Sequence, residues 1–288
     1  MTLSLHNPWF RRSVIGIAAL LLLALGAALY LRINAKATSK PINLSNLYWI
    51  YYREDLVRLQ QLDPAIIGQT VSGPGTYALE HDDSGPPLPS GVIPVELFFS
   101  YATEQSAISN KAILPGVKTV ADDPEYWPAT PVDEQRTPLA YMQDFTKAAT
   151  AKGLSSILIP GRDLMSVPNA TCGQQSGETV AQAYVRCGLP GAAANARVFV
   201  IQAASVETDQ TALTQLAQTA AAAARAANPH VIIIASLSTD PEGNGAVSAG
   251  TLNSAARAML PYVQGFELNT TAPTDSTAIA FLHDLAGS

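Results

Sequence analysis

The chain has 288 residues, 48% hydrophobic and 14% charged, which excludes a disordered chain and a multi-span membrane protein. Its 19 glycines and 20 prolines are scattered without a period, which excludes collagen-like and low-complexity classes; the length fits two small domains or one large α/β domain. The net charge of −6 is uneven: residues 1–40 hold five basic and no acidic side chains, leaving 12 basic against 23 acidic in 41–288, a body that repels phosphate backbones and speaks against nucleic-acid binding.

The N-terminus sets the expected compartment. Residues 13–31 carry no charge over 19 positions and follow Arg11-Arg12. A secretory core runs to roughly 7–15 residues and a spanning helix to about 20, so the segment reads as a signal anchor or a signal peptide behind a cytoplasmic basic flank, 1–12. Ala35-Lys36-Ala37 resembles a small-x-small cleavage site, crowded by Arg32 and Lys36. Residues 32–46 read as a linker and 47–288 as the folded domain. Two cysteines, Cys172 and Cys187, make an even count, which in an exported chain reads as one disulfide. The expectation is an extracytoplasmic domain, membrane-anchored through 13–31 or secreted.

Eight strand candidates follow. Residues 47–52 (LYWIYY) are strongly β-prone, and REDLVRLQQL then has helical spacing of Leu56, Leu59 and Leu62. Residues 65–71 (AIIGQTV) read as the second strand and 73–91 as a long Gly/Pro/Ser/Asp loop. Residues 92–101 form the third strand, with a short helix near 104–113. Strands follow at 116–123, 154–160, 197–203, 230–236 and 263–269. Helices are predicted at 137–152, with Pro138 at its start and Gly153 past its end, and at 178–194, 208–227, 249–261 and 275–286. The later strands are apolar throughout, as parallel strands covered on both faces are. Eight β/α units in about 245 residues predict a single (β/α)8 TIM-type barrel, irregular in its second unit. The alternative is an open doubly wound sheet.

In such a barrel the reactive residues sit at the carboxyl ends of the strands. Side chains alternate along a strand. Asp123 therefore shares a face with Thr119 and Ala121, Gln202 opposes Phe199 and Ile201, and Glu267 and Asn269 oppose Phe266 and Leu268. The inward set is Asp123, Glu125, Gln202, Glu267 and Asn269, joined by Arg162. Convergent carboxyls serve glycoside hydrolysis, in which a protonated acid meets the leaving oxygen and a carboxylate acts as base or nucleophile. Tyr52, Trp127 and Tyr184 are candidate sugar platforms. Blander roles remain open: Asp122-Asp123 as the start of a turn, Arg162-Asp163 as a rim ion pair, and Glu207, Asp209 and Asp240 as solvated residues or helix caps. No Gly-x-Ser-x-Gly elbow occurs, and none of His6, His81, His230 and His283 falls at a predicted strand end, against a Ser-His-Asp hydrolase or a histidine metal site.

Asp123-Pro124-Glu125 resembles the Asp-x-Glu of chitinase-like barrels, although residues 118–121 depart from the full motif. The aromatic run 48–52 ahead of carboxylates on later strands resembles the endo-α-1,4-polygalactosaminidase and spherulin-4 type of barrel. DDPEYWPATPVDEQ (122–135), Pro160 to Leu164, Tyr184 to Cys187 and Gln202 resemble most closely a group of exported bacterial barrel proteins of unassigned activity. These resemblances imply the barrel and a carbohydrate-active function.

The expectation is an exported carbohydrate-active barrel, a glycoside hydrolase acting on an extracellular or cell-wall polysaccharide. Glu125 is its acid, Asp123 or Glu267 its partner, Tyr52, Trp127, Arg162, Gln202 and Asn269 its substrate-binding set, and no cofactor or metal is required. The alternatives are a non-catalytic barrel binding a glycan or an envelope protein, and a metal-assisted hydrolase using Asp122, Asp123 and Glu267.

Overall fold

The structure, a computed structural model, describes residues 40–82, 85–241 and 245–288. The segments 1–12 and 13–31 and most of the expected linker lie outside the described residues. Among those described, no helix is long and apolar enough to cross a membrane. One compact unit spans Pro41–Ser288. Its packing starts ahead of the first strand: Leu44 is buried, and the Ile42 N–H donates to Leu285 O.

The eight strands are β1 (Tyr48–Tyr52), β2 (Gly75–Glu80), β3 (Val92–Phe98), β4 (Thr119–Asp122), β5 (Ser155–Leu158), β6 (Val198–Ile201), β7 (Ile232–Ser238) and β8 (Gly265–Asn269). They close into an all-parallel barrel in sequence order, with β8 pairing back onto β1 through Tyr48–Gly265 and Ile50–Glu267. The helices are α1 (Arg53–Leu62), α2 (Pro64–Val71), α3 (Tyr101–Ser109), α4 (Val132–Arg136), α5 (Pro138–Ala151), α6 (Val180–Arg186), α7 (Gln210–Ala227), α8 (Ala249–Met259) and α9 (Asp275–Ala286). This is the (β/α)8 architecture that the sequence predicted.

Two cores follow from strand alternation. Ile50, Leu79, Val95, Leu97, Ala121, Ile157, Val200 and Ile234 fill the barrel interior. Trp49, Tyr51, Phe98, Val120, Leu158, Phe199 and Phe266 face outward and meet the helices. Helix α7 shows how the outer layer is covered. Leu213, Leu216, Ala217, Ala220, Ala221 and Ala224 recur at helical spacing and are all buried. Small residues on that face let the helix lie close to the strands. Barrel closure needs a glycine at 265, because a Cβ there would stand 1.9 Å from Tyr48 O.

The second strand is a correction. Residues 65–71 are helix α2, and β2 lies within the predicted loop 73–91. Asp63 caps α2 by accepting the N–H groups of Ala65 and Ile66, and Pro64 occupies the first turn, where its missing N–H is harmless. A short apolar run does not tell strand from helix by periodicity alone, and here the cap decides. Two boundaries also shift. The third-unit helix runs 101–109, and the predicted helix 178–194 splits at left-handed Gly188 into α6 and a 3-10 turn, Leu189–Asn195. Gly188 permits that break because it adopts φ 74° without a Cβ.

Candidate active site

Alternation delivers the predicted carboxyls to the mouth of the barrel. Ala121 belongs to the inner core and Val120 to the outer one. Asp123, next on the inner face after Ala121, therefore points into the mouth, while Asp122 points under the helices. On β8, Phe266 and Leu268 pack outward, which turns Glu267 and Asn269 inward. On β6, Phe199 and Ile201 pack outward and Gln202 turns inward. Tyr52 continues the inner face of Ile50 on β1.

Burial sets the electrostatics of this cluster. Asp123 and Glu267 are both buried, Glu267 with only 1% of its surface exposed. Asp123 Oδ1, Glu267 Oε2 and Asn269 Oδ1 have no protein hydrogen-bond partner. Burial pushes the Glu267 carboxyl up to about 8, and Glu125 adds to the rise. Burial also holds Asp123 well above the usual carboxylate range, reinforced by Glu125, Glu267, Asp122 and Asp163. The Tyr52 phenol is raised by burial and then by the charges of Asp123, Glu267, Glu125 and Asp55. These mutual effects place Tyr52, Asp123, Glu125 and Glu267 in one electrostatic group. An ion in a dry site is costly unless it is paired, so burial disfavours charge on Asp123 and Glu267, while Glu125 is only half-buried.

Two cavities flank the group. One of about 250 Å3 is lined by Glu125, Arg162, Asp163 and Gln202, with Ala204 and Ser205. The other, about 400 Å3, is lined by Tyr52 together with Asp55, Glu80, His81 and Thr270 among others. Gln202 is oriented by Ser236, whose Oγ donates to Gln202 Oε1 at 3.2 Å and accepts the Ala203 N–H at 2.9 Å.

The loop after β4 is built to carry Glu125. Tyr126 N–H donates to Asp163 Oδ2 at 2.9 Å, and Gly161 N–H donates to Pro124 O at 2.8 Å. Gly161 leaves room for both side chains, since a Cβ there would meet Asp163 Oδ1 at 2.5 Å and the Glu125 Cγ at 2.8 Å and force one of them to shift. Trp127 is half-buried. Its ring packs edge-on against Phe99 at 4.6 Å, and its N–H donates to Thr130 Oγ1. Tyr126 is the exposed aromatic of this loop, with 47% of its surface open.

Several expectations change here. Tyr184 is wholly buried on α6 among the outer core and offers no platform to a sugar. The proposed metal trio does not form, because Asp122 and Asp123 point to opposite sides of the barrel wall. Among the described residues no group of three or more His, Cys, Asp or Glu is arranged to hold a metal ion. Asp122 instead belongs with Glu104 of α3, which is fully buried and raised to about 9 by burial and by Asp122. Glu207 is buried and accepts the Ser238 N–H at 3.1 Å rather than standing in solvent, whereas Asp209 does cap α7. Cys172 and Cys187 are disulfide-bonded, joining the loop after β5 to the end of α6.

Sequence reasoning missed the rim residues that follow β2. Glu80 ends that strand and pairs with Arg53, and His81 stands directly after it, its ring tilted at 43° against Phe99 with centroids 4.6 Å apart. A histidine therefore does lie at a strand end. The available signal was Asp63-Pro64 as a helix start, which frees 65–71 from the strand count.

Neither a protein-family model nor a curated protein matches the sequence. Solved structures do match. A candidate alpha-L-fucosidase from Bacteroides thetaiotaomicron VPI-5482 superposes with a TM-score of 0.53 at 8% identity, over 88% of this chain and 97% of that one. Bee venom hyaluronidase, in complex with a hyaluronic acid tetramer, has a TM-score of 0.46 at 9% identity, over 82% and 94% of the two chains. A GH128 endo-beta-1,3-glucanase from Amycolatopsis mediterranei, in complex with laminaritriose, has a TM-score of 0.44 at 14% identity, over 83% and 99%. At these identities the likeness is one of fold, and the superposition at a TM-score of 0.53 agrees with the closed eight-stranded parallel barrel.

Proposed function

We propose that this chain is an exported glycoside hydrolase acting on a polysaccharide at the barrel mouth. The observation that carries the reading is the convergence of Asp123 from the end of β4 and Glu267 from β8, both buried and each with an unpartnered oxygen, beside half-buried Glu125. Glu267 keeps its proton at neutral pH and gives it to the glycosidic oxygen as the bond breaks. Burial favours it for this role over Glu125, the acid expected from sequence. Glu125, ionised, is the base for water or the nucleophile at the anomeric carbon. Asp123, protonated beside them, supplies a hydrogen-bond donor. Arg162, Gln202 and Asn269 bind sugar hydroxyls, and Tyr52 donates its phenol proton toward the carboxyl group. No step requires a metal or an organic cofactor.

Export rests on the apolar segment 13–31 and on the disulfide, which persists in oxidising compartments. The anchored and the secreted forms both present the barrel outside the cytoplasm to an envelope or extracellular polysaccharide.

The test incubates the full chain with a panel of cell-wall and extracellular polysaccharides beside Glu267→Gln and Glu125→Gln. New reducing ends should appear with the wild type and fall by ~10²–10⁴-fold in Glu267→Gln, the usual worth of a general acid. A wild type that cleaves no glycan, or a Glu267→Gln variant that cleaves as well as wild type, overturns the assignment. Exposed Tyr126 on the rim favours one second reading, a barrel that binds glycan without turnover. Retention on a glycan column with no new reducing ends, lost in Tyr126→Ala, would identify that case.

A further inference from the structure

One hydroxyl on the rim spends its whole hydrogen-bonding capacity on the site. A threonine side chain has one O–H to donate and two lone pairs to accept with. Thr130 Oγ1 donates to Phe99 O at 2.8 Å, accepts the Glu125 N–H at 3.1 Å and accepts the Trp127 Nε1–H at 3.1 Å. Its three partners come from three places: the end of β3, the backbone of a site carboxylate and an aromatic ring. With 1% of its surface exposed, Thr130 makes these bonds away from solvent. A second side chain braces the same turn. Gln135, at the end of α4 and buried, donates through Nε2 to Trp127 O at 2.6 Å and to Thr130 O at 2.7 Å. Within the turn, Trp127 N–H donates to Glu125 O at 2.9 Å. Phe99, whose carbonyl Thr130 holds, also carries the Trp127 ring on its edge. The turn is therefore tied at several points to the residue that follows β3.

We propose that Thr130 is the positioning residue of this site, its hydroxyl tying the Glu125 backbone and the Trp127 ring to the end of β3 so that carboxylate and aromatic face meet a glycan in fixed register. The effect on turnover rests on the glycosidase reading above, whereas the clamp itself does not. Valine is close to threonine in shape but has no hydroxyl, and serine keeps the hydroxyl. In the full chain, Thr130→Val should raise amide hydrogen exchange at Glu125 about tenfold, the worth of one buried hydrogen bond. It should also shift the Trp127 emission, isolated by difference against Trp127→Phe. On any glycan the wild type cleaves, kcat should fall by about tenfold or more, with a smaller change in KM, as expected when a reacting group is displaced. Thr130→Ser should restore exchange, emission and kcat together. If Thr130→Val does not fold, Thr130→Ala removes the same hydroxyl with no added methyl group.

Unchanged exchange and emission in the hydroxyl-free variant would overturn the clamp. Altered exchange and emission with unaltered kcat and KM would overturn the positioning role and leave the hydroxyl purely structural. A wild type that cleaves nothing would count against the glycosidase reading, and exchange and emission would still decide the clamp.

Discussion

At Gly161 a single methyl group would stand in the space that the Glu125 side chain and the Asp163 carboxylate already fill. Gly161→Ala should therefore push Glu125 off its place. Overpacking of this kind destabilises by about 1–3 kcal/mol, which urea unfolding would read, and turnover should fall with it. Glu267 permits a sharper test, because its shift has a direction. A carboxyl raised to about 8 in the folded state favours folding fully below its unfolded value near 4, and that contribution is lost as pH rises through 8. Glu267→Gln is neutral at every pH. The variant should lose less thermal stability than wild type between about pH 5 and pH 9 while losing activity. A variant whose Tm follows the wild-type pH curve would show that the carboxyl is not held as burial implies.

At the scale of elements, the loop after β5 places Arg162 and Asp163 at the mouth and is held by two devices at its far end. The Cys172–Cys187 disulfide joins positions 15 apart in sequence, and Arg186 grips Glu178 through two nitrogens while also donating to Gly173 O. That grip holds the Glu178 carboxyl low, at about 2. Replacing both cysteines by serine should lower unfolding stability by roughly 3 kcal/mol in the chain-entropy picture. Helix α7 has a more local dependence. Asp209 accepts the N–H groups of Thr211 and Ala212, so Asp209→Ala should cost about 1 kcal/mol, measured by denaturant titration. The misread second unit belongs to this scale too. AIIGQTV is apolar enough for a buried strand and is a helix because Asp63 and Pro64 start one, while GTYALE looks like loop sequence and becomes β2 because β1 and β3 each offer it an edge.

Across the whole molecule, burial raises an unusual set of carboxyls. Glu104 rises to about 9, Glu207 and Glu267 to about 8, and Asp122 and Asp123 rise as well. Each binds its proton more tightly folded than unfolded, so between about pH 4 and pH 9 the folded chain holds more protons and loses stability as pH rises. Asp63, Asp133 and Glu178 are lowered by hydrogen bonds and act in the opposite sense, weakening the fold as pH falls below about 4. Tm followed by circular dichroism should therefore peak on the acid side of neutrality, near pH 5, and decline steadily toward pH 9. A flat profile, or a maximum above pH 7, would contradict this assignment.

What the sequence determined by itself is local and periodic. Apolar runs at strand spacing between helical stretches point to a (β/α)8 barrel, whose closure the structure supplies, and the alternation of Phe266-Glu267-Leu268-Asn269 tells which side chains face inward, because two-residue periodicity is a backbone property. Tertiary structure decided whatever depends on neighbours distant in the chain. It buried Tyr184, turned Asp122 toward Glu104, drew Glu207 onto Ser238, and brought Glu80 and His81 to the rim by making 75–80 a strand. It also chose among the carboxyls, since the proton stays on the group that loses the most water, and that loss is set by the closed barrel around Glu267 and Asp123 rather than by any motif.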